Sequence, residues 1–140
     1  MGNWTERFAL TGKSALVTGA TKGIGIETCK VLADAGADIV AVGRDVAGLA
    51  EVEAAVKAAG RRCMTIAADM GTADGPVKAA EQALAAFGTI DILVNNAGVA
   101  LLGHLTDATI EDWDATMAVN LRAPFLLARE LGYFAEEGID

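Results

Sequence analysis

The run Thr18-Gly19-Ala20-Thr21-Lys22-Gly23-Ile24-Gly25 sets three glycines between an apolar, β-rich segment and a segment of helical period. Few folds accommodate that arrangement. A strand that turns through glycines directly into a helix aims the helix's N–H groups and positive dipole end at the turn, where an anion such as phosphate can sit. Gly19 permits the tight reversal, Gly23 lets the backbone approach a pyrophosphate, and Gly25 allows the helix to pack closely on the strand. A structural turn without ligand is the competing account. Another apparent phosphate motif fails. Thr11-Gly12-Lys13-Ser14 resembles the end of a P-loop, but Arg7 stands where that motif needs a glycine, and the motif follows a strand rather than preceding one.

The rest of the chain repeats this alternation. Ser14–Thr18, Asp38–Val42, Arg62–Ala67 and Asp91–Asn95 read as four short apolar strands. Between them, Ile24, Val31, Leu32 and Ala35 mark one helix face, Leu49, Val52, Val56 and Ala59 a second, and Val77, Ala80, Leu84 and Phe87 a third. Gly36, Gly60 and Gly88 stand where left-handed C-terminal caps are expected, and Pro76 suits the first turn of the third helix. Strands apolar on both faces and joined by helices imply a parallel sheet covered on both sides. The expected fold class is therefore α/β, a doubly wound, Rossmann-like parallel sheet in the order 3-2-1-4. Residues 1–140 read as a single domain, with Thr106–Ala135 mostly helical, a break near Pro124 and irregular structure over the last ten or so residues. No fifth strand is expected.

Composition narrows the function. The chain is 53% hydrophobic with 16 Gly and 2 Pro, enough to bury a core. The net charge of −8 lies wholly in residues 71–140, where three Lys and Arg face eleven Asp and Glu, whereas residues 1–70 carry eight of each sign. An acidic chain without a basic stripe argues against nucleic acid and anionic membrane as partners. No apolar run approaches the length of a bilayer span, and the first residues lack a signal-peptide core, so a cytoplasmic setting is expected. Cys29 and Cys63 read as buried thiols rather than a disulfide, and no metal-ligand cluster is present in the sequence.

The end of the second strand selects a cofactor. NAD sites usually place an acid there for the ribose 2′-OH. This strand instead ends Val42-Gly43-Arg44, and Arg44 can grip a 2′-phosphate, with Lys22 as a second cation. Asp45 could still serve as the acid one position later, and a solvated surface arginine is the bland account of Arg44. NADP(H) is expected over NAD(H). At the fourth strand, paired Asn95 and Asn96 are costly to bury unpartnered, which points to a positional role.

Together these motifs resemble the short-chain dehydrogenases/reductases. Thr18–Gly25 looks like that family's glycine motif, and Asp91-Ile92-Leu93-Val94-Asn95-Asn96-Ala97-Gly98 looks like its strand-four signature. Asp69 matches the family's adenine-contacting aspartate, and Lys22 and Arg44 the basic pair of NADP-preferring members. The resemblance spans Thr11 to about Arg129. It implies that Gly19, Thr21, Lys22, Gly23, Ile24, Gly25, Arg44, Asp69 and Met70 bind the cofactor. It places Asn96, Ala97 and Gly98 beside the ribose, while Asn95 ties strand four to its neighbours. Asn120 matches the family's helical catalytic asparagine. Pro124, four residues on, has no N–H for the Asn120 carbonyl. That carbonyl would then be free to hold a relay water. A proline kink without chemical role is the alternative.

The same resemblance exposes what this chain lacks. The family reaction, hydride transfer between NADP(H) and an alcohol or carbonyl, also uses a serine and a Tyr-x-x-x-Lys pair. The one serine is Ser14, ahead of strand one; the one tyrosine is Tyr133, followed four residues later by Glu137; no lysine follows Lys78. The chain also stops where the family's fifth strand begins, leaving Ile92, Leu93 and Val94 as an apolar edge. Self-association is expected, through that edge or through helices around Trp113–Leu127. Trp113, Met117, Leu121 and Phe125 read as core or interface, and His104 as a surface loop residue. Three readings follow: part of an NADP(H)-dependent oxidoreductase, a catalytically silent dinucleotide-binding module, or an oligomeric remnant that binds nothing.

Overall fold

A computed structural model describes residues 4–100 and 103–136. After a single turn, α1 (Trp4–Arg7), the chain alternates β1 (Ser14–Thr18), α2 (Ile24–Asp34), β2 (Asp38–Gly43), α3 (Val46–Ala58), β3 (Cys63–Ala67), α4 (Gly75–Phe87) and β4 (Ile92–Val94). A 3₁₀ turn at Leu105–Asp107 leads into an arm of α5 (Ile110–Met117), a π-helical turn (Ala118–Arg122), α6 (Ala123–Glu130) and α7 (Tyr133–Glu136). The four strands are parallel and lie in the order β3-β2-β1-β4. The doubly wound α/β expectation therefore holds.

The alternation of side chains along β1 and β2 divides the core. Ala15, Val17, Ile39 and Ala41 point to one face and pack with Cys29 of α2 and Val52 and Val56 of α3. Leu16, Val40 and Val42 point to the other and pack with Ala79, Ala80 and Ala83 of α4 and with Ala123 and Leu127 of α6. All five β1 residues are buried, which is why the strand reads as a continuous apolar run. Each fully buried Val, Leu or Ile contributes about 1.5–3 kcal/mol of transfer free energy. Gly36, Gly60 and Gly88 all have positive φ after their helices, as their sequence positions predict.

Several expectations need correction. On α2 the buried face is Gly25, Ile26, Cys29 and Ala33, whereas Ile24 and Val31 are exposed. The two phases differ by about half a helical turn, and β-branched residues on the outer face mislead a reading based on hydrophobicity alone. β4 is three residues rather than five. At Asp91 the backbone N–H still donates to the Ser14 carbonyl at 3.0 Å, but the Ser14 N–H is taken by the Asp91 carboxylate at 2.9 Å, and at the other end the Asn96 N–H closes a turn onto the Val94 carbonyl. The expected break near Pro124 takes the form of a widened π turn ending two residues before it, and the helix starts later than expected, at a Thr109–Asp112 capping box. Of the last ten residues, expected to be irregular, Tyr133–Glu136 form a helical turn, and residues 137–140 lie outside the described residues.

Cys29 is buried and Cys63 half-buried, both as free thiols. Burial pushes their pKa values up to about 12 and about 11, so neither is poised as a thiolate. Among the described residues, no helix is long and apolar enough to cross a membrane, and no group of His, Cys, Asp and Glu converges as a metal site.

Candidate functional site

The loops leaving the C-terminal ends of the strands enclose a cleft of about 360 Å³. This is where an open parallel sheet binds ligands, because helix N-termini converge there and the strand order reverses beside β1. The glycine loop forms its floor. Gly19 has φ +62°, and a Cβ there would lie 2.9 Å from the Ala97 Cα. At Gly25 a Cβ would collide with the Gly19 carbonyl oxygen. These two glycines are required by contact, as the sequence suggests: strand, loop and helix touch through bare backbone.

Thr18 and Asn96 lock this floor to the β4 loop. The Thr18 hydroxyl accepts the N–H groups of Asn96 at 3.1 Å and Ala97 at 3.0 Å. The Asn96 amide donates to the carbonyls of Thr18 at 3.0 Å and Gly19 at 3.1 Å. Asn96, rather than Asn95, therefore ties strand four to its neighbour, while Asn95 is exposed. Each bond is worth about 0.5–1.5 kcal/mol net, and leaving its buried partner unpaired costs more. Thr18 opens the glycine motif, which assigns it no role; its part in the site comes from a buried hydroxyl at the end of β1 nearest the cleft.

Thr21 packs against β2 and α3, where side chains are absent. A Cβ at Gly43 would lie 2.6 Å from its Cγ2, and one at Gly48 would lie 2.7 Å from its Cβ. Neither glycine belongs to a motif that would mark it as part of the site. Lys22 and Arg44 stand exposed on this side of the cleft. Arg44 approaches Asp69 at 4.0 Å, a solvated ion pair of little intrinsic strength that leaves the guanidinium available. Asp45, the competing acid, lines the same cleft, but its carboxylate accepts from the Ala47 N–H at 3.1 Å and so caps α3.

Asp69, Met70, Asn96, Ala97 and Gly98 complete the lining, joined by Ala68, Val99 and Val119. Gly23, Ile24 and Gly25 lie outside the lining, in the first turn of α2. There Gly23 is the N-cap and no side chain caps the helix, so its leading N–H groups are open to an anion. Asn120 borders the cleft through Val99, accepting that residue's N–H at 2.9 Å and donating to its carbonyl at 2.8 Å. In the π turn the Ala123 N–H reaches back to the Ala118 carbonyl, and Pro124 offers no N–H to the Asn120 carbonyl.

The remaining chemical side chains are elsewhere. The Ser14 hydroxyl donates to the Thr89 carbonyl at 2.6 Å at the opposite end of β1. The Tyr133 hydroxyl donates to the Ile90 carbonyl at 2.7 Å, ahead of β4. His104 is exposed, as expected.

A family model for short chain dehydrogenase matches residues 13–137. The chain belongs to the short-chain dehydrogenase family. This is a family of oxidoreductases, and the glycine loop and the Asn96 lock are where its sequence motifs meet in this member. A curated relative, D-threitol dehydrogenase of Mycolicibacterium smegmatis, is 40% identical over 125 residues, covering 89% of this chain and 48% of its own length. A metagenomic short-chain oxidoreductase solved with NADP is 41% identical with a TM-score of 0.85, over 92% of this chain and 59% of that one. A short-chain dehydrogenase from Burkholderia cenocepacia J2315, also with NADP, is 40% identical with a TM-score of 0.84, over 89% and 51%. The chain thus spans about half the length of the curated relatives it matches.

Proposed function

We propose that this short-chain dehydrogenase holds NADP(H) in the cleft, in preference to NAD(H), as the nucleotide-binding part of an oxidoreductase acting on an alcohol or carbonyl. The observation that carries the reading is the pair of exposed cations, Lys22 and Arg44, beside the uncapped N-terminus of α2. A dinucleotide with a 2′-phosphate presents negative charge at both places. The capping role of Asp45 supports the same choice, since an acid spent on a helix cap is less available to a ribose hydroxyl. The NADP-bound structures of its relatives agree with it.

The bound cofactor would supply the hydride. This chain's residues would hold it: Gly19, Thr21, Gly23, Ile24 and Gly25 by backbone and close packing, Lys22 and Arg44 by charge, Asp69 and Met70 on the adenine side, and Asn96, Ala97 and Gly98 beside the ribose. Asn120 would serve the reaction through its carbonyl. Proton transfer to a substrate oxygen is typically worth roughly 10²–10⁴-fold in rate. Ser14 and Tyr133 are bonded away from the cleft, which supports trace turnover at most by these 140 residues. The catalytically silent binding reading therefore stands beside the enzymatic one.

We also propose self-association, with a second copy covering the exposed row Ile110, Trp113, Leu121 and Phe125 along the arm. Light scattering that finds only monomer at high concentration rules this out.

Calorimetric titration of the purified chain with NADPH and NADH tests the cofactor reading. Tighter NADPH binding is expected, with Arg44→Ala weakening NADPH about 10- to 100-fold, as loss of a charge-assisted contact does, and leaving NADH nearly unchanged. No binding of either cofactor removes the nucleotide reading and leaves a folded remnant.

A further inference from the structure

We propose that Arg122 is a positioning residue for the cleft, bracing from outside the turn that presents Asp69 to Arg44. The inference rests on the dinucleotide reading of that cleft. β3 and β4 are the opposite edges of the sheet, and the loops that follow them form opposite rims of the site. The π turn Ala118–Arg122 reaches both. Asn120 holds one rim at Val99, and the Arg122 Nη2 donates to the Gly71 carbonyl of the other at 2.7 Å. Side chains two positions apart on a helix point in different directions, which is what reaching two rims requires. Val119, close by in the same turn, lines the cleft and lies 3.5 Å from where a Gly71 Cβ would be.

From Gly71 the contacts run inward. Its N–H donates to Asp69 Oδ1 at 2.8 Å, which sets that carboxylate's rotamer and leaves Oδ2 facing Arg44. The Asp69 carbonyl accepts from the Thr72 hydroxyl at 3.0 Å, and the Gly75 N–H donates to that same hydroxyl at 3.0 Å. Gly75 also abuts the Asp69 carbonyl so closely that a Cβ there would collide with it. The turn is thus tied to α4 on one side and, through Arg122 alone among the described side-chain donors, to the arm on the other. Arg122 touches no position expected of the dinucleotide, so its influence passes through Asp69 and Arg44, the 2′-phosphate and adenine side of the site.

Calorimetry on the 140-residue chain and its Arg122→Ala, Arg122→Lys and Arg122→Gln variants tests this, with NADPH, NADH and 2′,5′-ADP as titrants. Arg122→Ala should weaken NADPH and 2′,5′-ADP by the same factor, about fivefold, the scale of one ordinary hydrogen bond and less than Arg44→Ala, because the Arg122 contact is exposed and acts through Asp69. The preference for NADPH over NADH should shrink, and Arg122→Lys should restore most of the loss. If the alanine variant does not fold, the glutamine variant, which keeps the aliphatic stem but loses the charge and the reach to the Gly71 carbonyl, takes its place. NADPH affinity unchanged in a folded variant, equal losses for NADPH and NADH, or a lysine variant as weak as alanine overturns the inference while the dinucleotide reading stands. Failure of the unaltered chain to bind any of the three titrants overturns that reading and the inference with it.

Discussion

Within the block from β1 to α4, the central strands use apolar residues differently from the helices of the arm from Thr109 to Glu136. In the block, Leu16, Val17, Ile39 and Val40 have no exposed surface at all. In the arm, Leu127 is fully buried, but Leu121 is 64% exposed, Trp113 57% and Phe125 50%. The expected helical row of Trp113, Met117, Leu121 and Phe125 exists, but it faces away from the sheet. The face that packs is Ala118, Ala123, Leu127 and Leu131. The difference teaches that apolar spacing alone does not choose the packed face of a helix. Ala118 and Ala123 let the arm lie close to α4 and the sheet, Leu127 and Leu131 fill the space between, and Trp113, Leu121 and Phe125 are left on the outside.

Leu127 and Leu121 put that comparison to its hardest test. Leu127→Ala should destabilise the chain by about 2–5 kcal/mol, whereas Leu121→Ala should cost less than about 0.5 kcal/mol in the monomer. Denaturant melts of both variants measure this. A large loss at Leu121 that grows with protein concentration would mean that a second copy buries it, and equal losses at low concentration would break the comparison.

At the cleft floor, backbone contact adds to the side-chain packing of the block. Gly25→Ala forces the Gly19 carbonyl and the Asn96 amide apart and should cost about 1–3 kcal/mol, read as a lower melting temperature. NADPH affinity should fall with it, because the same carbonyl anchors the cleft floor. A native melt would mean that loop and helix are less tightly apposed than the contacts imply.

The smallest effect lies at the end of the sheet away from the cleft. The Ser14 N–H and then the Lys13 ammonium hold the Asp91 carboxyl below the usual carboxylate range. A depressed folded pKa contributes stability that is present above that range and lost as pH falls through the folded value. Asp91→Asn should therefore lower stability modestly near neutral pH and flatten its acid decline, in melts run from neutral to strongly acid buffer. An unchanged acid limb would show that another carboxylate dominates it.

The strand–loop–helix order, the parallel sheet and most of the cleft lining are legible in the residues. Each depends on something local: alternation of apolar runs, glycine where φ is positive or backbone touches backbone, a cation where a phosphate is expected. Arg44, Asp69, Asn96 and Gly98 can be placed at strand ends because the strands themselves are readable. Leu49, Val52 and Val56 of α3 are buried as their spacing predicts, but tertiary structure alone decided which face of α2 is buried and which of two similar residues makes a contact. Ile24 and Val31 lose the inner face of α2 to Ile26, Cys29 and Ala33, because Gly25 has to sit against the Gly19 carbonyl and that contact fixes how the helix is turned. Asn96 rather than Asn95 locks β4 to β1, because the chain has already turned off the ladder at Val94. Thr21 lies over Gly43 and Gly48, and Arg122 reaches Gly71, across separations in sequence that no periodicity records. Local preference sets the elements; which residues meet is set by the space left when the elements pack.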